Sequence, residues 1–112
     1  MEARDAFRIT PVGGRAIVTA PQRVTARNAH DFWTALAQAS PTGRALVIDL
    51  RPTRHWEQPA LGALLMALRL SDRSGSGLQV VAARGLQRAL TAEGLDKLLT
   101  IVSSLAEALE SS

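Results

Sequence analysis

The run from Ala45 to Leu50, which reads ALVIDL, constrains the fold of this chain more than any other stretch. It is short and almost continuously apolar, and Asp49 is its only polar residue. A run of this kind is typical of a central strand whose two faces are both covered by other elements. We therefore expect a sheet built around residues 45–50, with further strands beside it and helices packed on it.

Other short apolar runs supply the neighbouring strands. Residues 7–10 (FRIT) and 16–19 (AIVT) lie on either side of Pro11-Val12-Gly13-Gly14, a sequence that favours a hairpin turn. Leu78 to Ala83 (LQVVAA) reads as another strand, and Leu98 to Ile101 as a short strand at the edge of the sheet. The sheet is then predicted to have four or five strands.

Four segments between and after these strands are predicted to be helices. The first begins at Thr25 or Asn28 and ends at Pro41-Thr42-Gly43, and its apolar residues follow helical spacing. That apolar face, on which Trp33 is expected to be a core residue, comprises Ala29, Phe32, Trp33, Leu36 and Ala37.

The second helix runs from about Pro59 to Leu70 and is followed by a turn over Ser71–Gly77. Pro59 suits the first helical position, where its missing N–H is not needed. The stripe predicted to be buried beneath this helix comprises Leu61, Leu64, Leu65 and Leu68.

The last two helices carry clear end signals. Leu86 to Glu93 is predicted to be helical and to stop at Gly94, a residue suited to a left-handed C-terminal cap. Ser104 and Glu107 have the spacing of a capping box and predict the start of the fourth helix.

Strands that alternate with helices predict right-handed crossovers and a mostly parallel sheet, to which the first hairpin adds one antiparallel pair. The expected fold is α/β, with a mixed sheet of four or five strands and about four helices packed mainly on one side. A length of 112 residues predicts one domain over residues 1–112.

The chemistry available to the chain argues against an enzyme. There is no Cys, and the two histidines, His30 and His55, do not have metal-ligand spacing, so we expect no metal and no cofactor. His30 is interpreted as a surface residue of the first helix, and His55 as either a plain or a functional loop residue. Asp49 at the strand end is read as an acid or ligand, or equally as a partner of nearby backbone.

The charge is weakly positive and dispersed. The net charge is +3, and twelve of the thirteen basic residues are Arg, scattered along the chain, which does not indicate a nucleic-acid surface. The abundance of Arg and Ala is typical of a GC-rich bacterial genome. The longest apolar run, Leu61 to Leu68, is far shorter than the ~20 residues that cross a bilayer, and no signal peptide is evident. We expect a cytoplasmic protein without membrane insertion.

The junction before the second helix is unusual. Helices commonly begin on Ser, Thr, Asp or Asn, whereas here Gln58 stands at the predicted start and is too long to cap well. Trp56 precedes it and is read either as core or as an exposed interface anchor. Arg51 and Arg54 lie close by, and Arg and Trp are enriched among residues that dominate binding energy.

Three stretches together resemble the STAS-domain family, typified by bacterial anti-sigma-factor antagonists. They are ALVIDLRPTRHWEQPALGALLMALR, SGSGLQVVA and LQRALTAEGLDKLLTIVSSLAEAL, and the resemblance covers roughly residues 7–110. The family has a strand ending in Asp-Leu, then a loop, then Asp-Ser-(small)-Gly, then Leu-Gly-(any)-Leu-Leu. The matching positions are Asp49-Leu50, Leu61-Gly62-Ala63-Leu64-Leu65 and Gly94-Leu95 followed by Leu98 and Ile101.

The departure from the family pattern falls on the regulatory site. By this resemblance, Gln58 occupies the position of the phosphorylatable Ser, with Glu57 in place of Asp, Pro59 as the small residue and Ala60 in place of Gly. The resemblance makes these four residues the regulatory junction. We predict that the partner-binding surface also includes the loop residues Arg51, Thr53, Arg54 and Trp56, among which Thr53 is the nearest alternative phosphate acceptor.

The resemblance also implies a function. It implies a non-catalytic module that regulates transcription by partner switching and binds an anti-sigma factor or related serine-kinase-fold protein. The module is expected to be a monomer or weak dimer and not to be phosphorylated at the usual position. The alternatives are a STAS subunit of an ABC transporter, which would grip the ATPase by the same face, and a STAS domain that senses a small molecule or nucleotide.

Overall fold

The computed structural model describes residues 6–39, 45–74 and 78–110, and for residues 70–74 it describes the backbone alone. The strands in these ranges are β1 (Arg8–Val12), β2 (Arg15–Thr19), β3 (Arg23–Val24), β4 (Ala45–Asp49), β5 (His55–Trp56), β6 (Leu78–Val81) and β7 (Thr100–Val102). The helices are α1 (Ala29–Ala39), α2 (Gln58–Ser74), α3 (Arg84–Ala92) and α4 (Leu105–Glu110), and a short 3-10 turn spans Leu95–Lys97.

Strand β4 lies at the centre of a five-stranded sheet with the order β1-β2-β4-β6-β7. It pairs in parallel with β2 and β6, so that Ile48 lies between Val18 and Val80. Strand β1 is antiparallel to β2, and β7 is parallel to β6. The predicted mixed sheet around the ALVIDL run is therefore confirmed.

The two faces of β4 contribute to separate apolar clusters. Leu46 and Ile48 belong to the larger cluster, which includes residues of α1, α2 and α3. Val47 points to the smaller cluster, which includes Ala108 of α4. Because successive side chains of a strand alternate between its faces, a strand covered on both sides reads as continuously apolar. Helices thus pack mainly on one side of the sheet, as predicted.

The hairpin between β1 and β2 turns later than the sequence suggested. Pro11 and Val12 were predicted to lie in the turn, but both belong to β1, and Gly13-Gly14 alone forms the two-residue loop. Gly13 has a φ of 60°, and Gly14 does not have a positive φ, as in a type II′ turn. Strand β1 can hold Pro11 because an edge strand does not need every N–H for sheet pairing.

Two residues predicted to be buried are in fact partly exposed. Trp33 is 41% exposed and Leu65 is 37% exposed, so both predictions were wrong. Small alanines take part of the core face instead, at Ala35 and Ala39 in α1 and at Ala60, Ala63 and Ala67 in α2. Trp33 and Leu65 each follow a fully buried residue, and one step along a helix turns a side chain about 100° away from it.

The ends of the helices agree with the sequence signals within a few residues. Helix α2 continues to Ser74, beyond the predicted end at Leu70, and the rest of the predicted turn, residues 75–77, lies outside the described residues. The predicted end of the first helix at residues 41–43 also lies outside them. Gly94 has a φ of 81°, which confirms the left-handed residue after α3. The Glu107 N–H donates to Ser104 Oγ at 3.2 Å, as a capping box requires.

Candidate functional site

A second, small sheet fixes the loop that follows β4. Strands β3 and β5 pair in parallel, with Arg23 beside His55 and Val24 beside Trp56. The backbone N–H groups of Arg54 and His55 both donate to the Gln22 carbonyl oxygen, at 2.8 and 3.1 Å. Sequence patterns did not predict these strands, because two residues are too few to show a strand period. The ladder holds residues 54–56 against the segment that leads into α1.

Asp49 holds the beginning of the same loop. Its carboxylate accepts the Arg51 backbone N–H at 3.0 Å and the Arg51 Nε and Nη2 groups, both at 2.9 Å. The Asp49 side chain is only 4% exposed, whereas that of Arg51 is 49% exposed. The side-chain hydrogen bond to Asp49 raises the pKa of the Arg51 guanidinium. Asp49 thus bonds nearby backbone, one of the two roles read from the sequence, and it also orients Arg51.

Thr53 does not present its hydroxyl to solvent. The residue is 5% exposed, and its Oγ1 donates to the Pro21 carbonyl oxygen at 2.8 Å. Its backbone N–H donates to the Leu50 carbonyl oxygen at 3.0 Å. Thr53 was included among the candidate binding residues and named as an alternative phosphate acceptor, but its buried hydroxyl makes it part of the loop's support instead.

Helix α2 begins one residue earlier than predicted, at Gln58, so that Glu57 is the residue immediately before the helix. Gln58 and Pro59 are exposed and Ala60 is fully buried. The Ala60 N–H donates to the Glu57 carbonyl oxygen at 2.9 Å, which tightens the first turn. Of the first three helical residues, only Gln58 and Pro59 therefore offer side chains to a partner.

Glu57 connects the starts of two helices. Its Oε1 accepts the Ala26 backbone N–H at 3.1 Å, and its Oε2 lies 3.2 Å from His55 Nε2. The hydrogen bond from Ala26, followed by that from His55, lowers the pKa of the Glu57 carboxyl. The Glu57 backbone N–H donates to the Val24 carbonyl oxygen at 2.9 Å. Glu57 therefore ties the start of α2 to the segment before α1, a role that the sequence did not reveal because Ala26 lies far away along the chain.

Trp56 packs between this region and the core. It is half-buried and contacts the larger apolar cluster, with its ring edge-on to Phe32 at a centroid distance of 6.4 Å. Phe32 in turn stacks on Phe7 at 4.8 Å. Trp56 thus makes the core contacts of the first interpretation, and the remainder of its surface is open to solvent.

The exposed candidate residues lie in the loop after β4, in β5 and in the first turn of α2. We call the exposed side chains there the α2-start surface, which consists of Arg51, Arg54, His55, Gln58 and Pro59. Its backbone is held by the β3–β5 ladder, by Asp49 and by Glu57. His55, which the sequence left as a plain or functional loop residue, belongs to it.

The described part of the chain offers no metal site. Within residues 6–39, 45–74 and 78–110, no three side chains of His, Cys, Asp or Glu are grouped so that they could hold a metal ion. In these same ranges, no helix has the length and apolar character needed to cross a membrane.

Comparisons with solved structures show what this fold is similar to. An anti-sigma factor antagonist from Mycobacterium paratuberculosis aligns with a TM-score of 0.85 and 23% identity, over 93% of this chain and 90% of that chain. The unphosphorylated form of the Bacillus anti-sigma factor antagonist SpoIIAA aligns with a TM-score of 0.78 and 11% identity, over 94% of both chains. At these identities the likeness shows the fold.

A third structure places a similar fold inside a larger protein. The murine anion transporter Slc26a9 aligns with a TM-score of 0.61 and 17% identity, over 89% of this chain and 18% of that chain. A comparison with curated protein sequences finds no match.

The sequence family described as Mlab, STAS domain matches residues 12–102, which include β2, the sheet centre and the α2-start surface. This match covers most of the 112 residues. The chain belongs to the STAS domain family.

Proposed function

We propose that this chain is a non-catalytic regulatory module of the anti-sigma-factor antagonist type, which binds a serine-kinase-fold anti-sigma factor through the α2-start surface. Its membership of the STAS family and the similarity of its fold to two anti-sigma factor antagonists support this function. Release of a sigma factor by such binding would make it a regulator of transcription by partner switching in the cytoplasm of a bacterium.

The observation that carries the proposal is the combination of an exposed surface supported by hydrogen bonds with a helix start at which Gln58 has no hydroxyl. Gln58 is exposed in the first turn of α2, where a phosphoryl group would add a charge of about −1.5 to −2 beside the partly unpaired N–H groups. An amide side chain has no oxygen that takes a phosphoryl group in this way. Because the Thr53 hydroxyl is buried on Pro21, the loop does not supply a ready substitute. Binding to the partner is therefore proposed not to be switched off by phosphorylation at position 58.

The charge of the surface indicates the partner's chemistry. Arg51 is oriented by its two hydrogen bonds to Asp49 and stays cationic, and Arg54 is exposed without an ion pair to any described residue. Guanidinium groups on an exposed face favour an acidic patch on the partner and accelerate association at low salt. We expect the association rate to fall as ionic strength rises.

Bulk introduced at Gln58 tests the surface directly. The Gln58→Trp variant should raise the Kd for a purified anti-sigma kinase from the same genome by about tenfold or more, since a tenfold change is only about 1.4 kcal/mol. Gln38→Trp makes the same substitution at an exposed position of α1 and should leave the Kd within about twofold. Calorimetric titrations that show equal losses for both variants, or no binding by the wild type, would rule out the proposed surface or function.

A second candidate function is that of a STAS subunit of an ABC transporter. The similarity to part of the anion transporter Slc26a9, a solute carrier, supports it only in that it relates this fold to a transport protein. In that case the purified chain should form a stable complex with an ABC ATPase of its genome and not with an anti-sigma kinase, and size-exclusion chromatography of both mixtures distinguishes the two functions.

A further inference from the structure

A groove of about 530 Å³ lies between the loop after β4 and the first half of α3. The residues that line it and matter most are Arg51, Arg54, His55, Trp56, Gly85 and Leu86. The loop follows β4 and α3 follows β6, so the groove lies at the carboxyl ends of two neighbouring parallel strands. The volume is within the roughly 300–1,000 Å³ of typical binding pockets.

The rim of the groove carries two guanidinium groups, of which that of Arg51 is ion-paired with Asp49 and that of Arg54 has no ion pair with a described residue. Arg51 and Arg54 lie on its loop side, and no Asp or Glu is among the described residues that line it. The bidentate contact with Asp49 holds Arg51 in place while leaving its Nη1 group without a hydrogen bond to the described residues. A guanidinium that is already oriented loses less side-chain freedom when it binds a carboxylate. The rim is therefore prepared for an anionic group.

The inner wall of the groove is apolar and has room. Trp56 and Leu86 are half-buried against the core and present their remaining surface to the groove. Gly85 lies in the first turn of α3, and a Cβ atom at this position would meet no other atom within 4 Å. The space above Gly85 is thus open, and the wall suits an apolar side chain.

We propose that this groove binds an acidic segment of the partner protein, in which a carboxylate contacts Arg51 and Arg54 and a neighbouring apolar side chain packs between Trp56 and Leu86. The proposal rests on the proposed function and extends the α2-start surface onto α3. The two surfaces share the loop of residues 51–56, so a protein docked on Gln58 has the groove beside it. Charge and shape together select the occupant.

Two variants block the groove by independent means. Gly85→Leu fills the open space, and it should not impair folding because Leu is the better helix former and nothing occupies that space. Its control is Ala106→Leu, which adds the same bulk at an exposed position of α4 on the opposite side of the sheet. Arg54→Glu reverses the charge at the rim. Its control is Arg88→Glu, an exposed residue of α3 that does not line the groove.

The first measurement uses the isotope-labelled protein and the synthetic peptide Ac-Glu-Leu-Asp-Glu-NH2. We expect the peptide to shift the NMR signals of the Gly85 amide and the Trp56 indole N–H. Its Kd should rise about tenfold or more in Gly85→Leu and Arg54→Glu and stay within about twofold in the two controls. Absence of any shift, or equal shifts with a peptide that carries Lys in place of the acids, would overturn the proposal. Inorganic phosphate and ADP are titrated separately into the same labelled protein. If either one binds and the peptide does not, the occupant of the groove is a small anion and the proposed protein segment is wrong.

The second measurement uses the purified anti-sigma kinase and separates this proposal from the proposed function. Loss of the complex in both Gly85→Leu and Gln58→Trp supports the groove. If Gln58→Trp blocks the complex while Gly85→Leu binds normally, the proposed function stands and the groove proposal is wrong. If the wild type forms no complex at all, the proposed function is wrong, and so is the proposal that a segment of the anti-sigma kinase occupies the groove.

Discussion

Two adjacent leucines in α2 give a sharp test of how this helix packs. Leu64 is fully buried in the larger apolar cluster, whereas Leu65 is 37% exposed. The Leu64→Ala variant removes buried methyl groups and leaves a cavity, which costs about 2–5 kcal/mol of unfolding free energy. The Leu65→Ala variant leaves no closed cavity because solvent reaches the site, and we expect a loss of about 1 kcal/mol.

These losses convert into a clear difference in melting temperature. An unfolding entropy of about 2.1 cal/mol/K per residue amounts to about 0.24 kcal/mol/K for 112 residues, so 3 kcal/mol lowers Tm by roughly 13 °C. Urea unfolding followed by circular dichroism gives the free energies, provided that the slopes against urea agree between variants. Equal losses for the two variants, or a larger loss at Leu65, would refute the assigned orientation of α2.

Further perturbations test the local geometry. Gly94→Ala should destabilise the fold by about 1–2 kcal/mol, since a side chain is strained at the left-handed φ of 81°. Gly62→Ala in α2 should instead stabilise the fold by about 0.5–1 kcal/mol, because a Cβ there meets nothing within 4 Å and Ala is the better helix former. Thermal unfolding of both variants checks the contrast, and a loss of stability at both positions would contradict it. Because the pKa of Glu57 is lowered in the folded state, its ionised form stabilises the fold above the unfolded pKa of about 4.3, and this contribution disappears as pH falls through the lowered pKa. The stability gap between the wild type and Glu57→Gln should therefore be constant near neutral pH and close in acid, and a gap that persists unchanged in acid would show that the Glu57 carboxylate does not stabilise the fold.

The sequence was sufficient to predict the sheet and most helix ends, because those signals are local. The ALVIDL run is apolar on both faces, as a strand covered on both sides requires, so β4 could be predicted without knowing which strands lie beside it. Gly94 ends α3 through its own backbone conformation, and Ser104 starts α4 through a hydrogen bond with Glu107, three residues away. Such features are legible in one sequence.

The errors arose where distant residues decide the outcome. Helical spacing identifies an apolar arc but not its centre, and alanines such as Ala63 and Ala67 fill the core face that Leu65 was expected to share. Strands β3 and β5 exist only because two distant dipeptides meet. Contacts between residues far apart in the sequence also shape the site. The buried Thr53 hydroxyl donates to the Pro21 carbonyl oxygen, and the Glu57 carboxylate accepts the Ala26 N–H.

The central claim is that the α2-start surface binds its partner without control by phosphorylation at position 58. Intact-mass spectrometry and size-exclusion chromatography, applied to one mixture of the wild type, the purified anti-sigma kinase and ATP, test it most directly. The account predicts a stable complex in which this chain carries no added phosphoryl group, before and after incubation. The absence of any complex would contradict it, and so would a phosphoryl group on this chain, at Thr53 or at another residue, that is accompanied by loss of the complex.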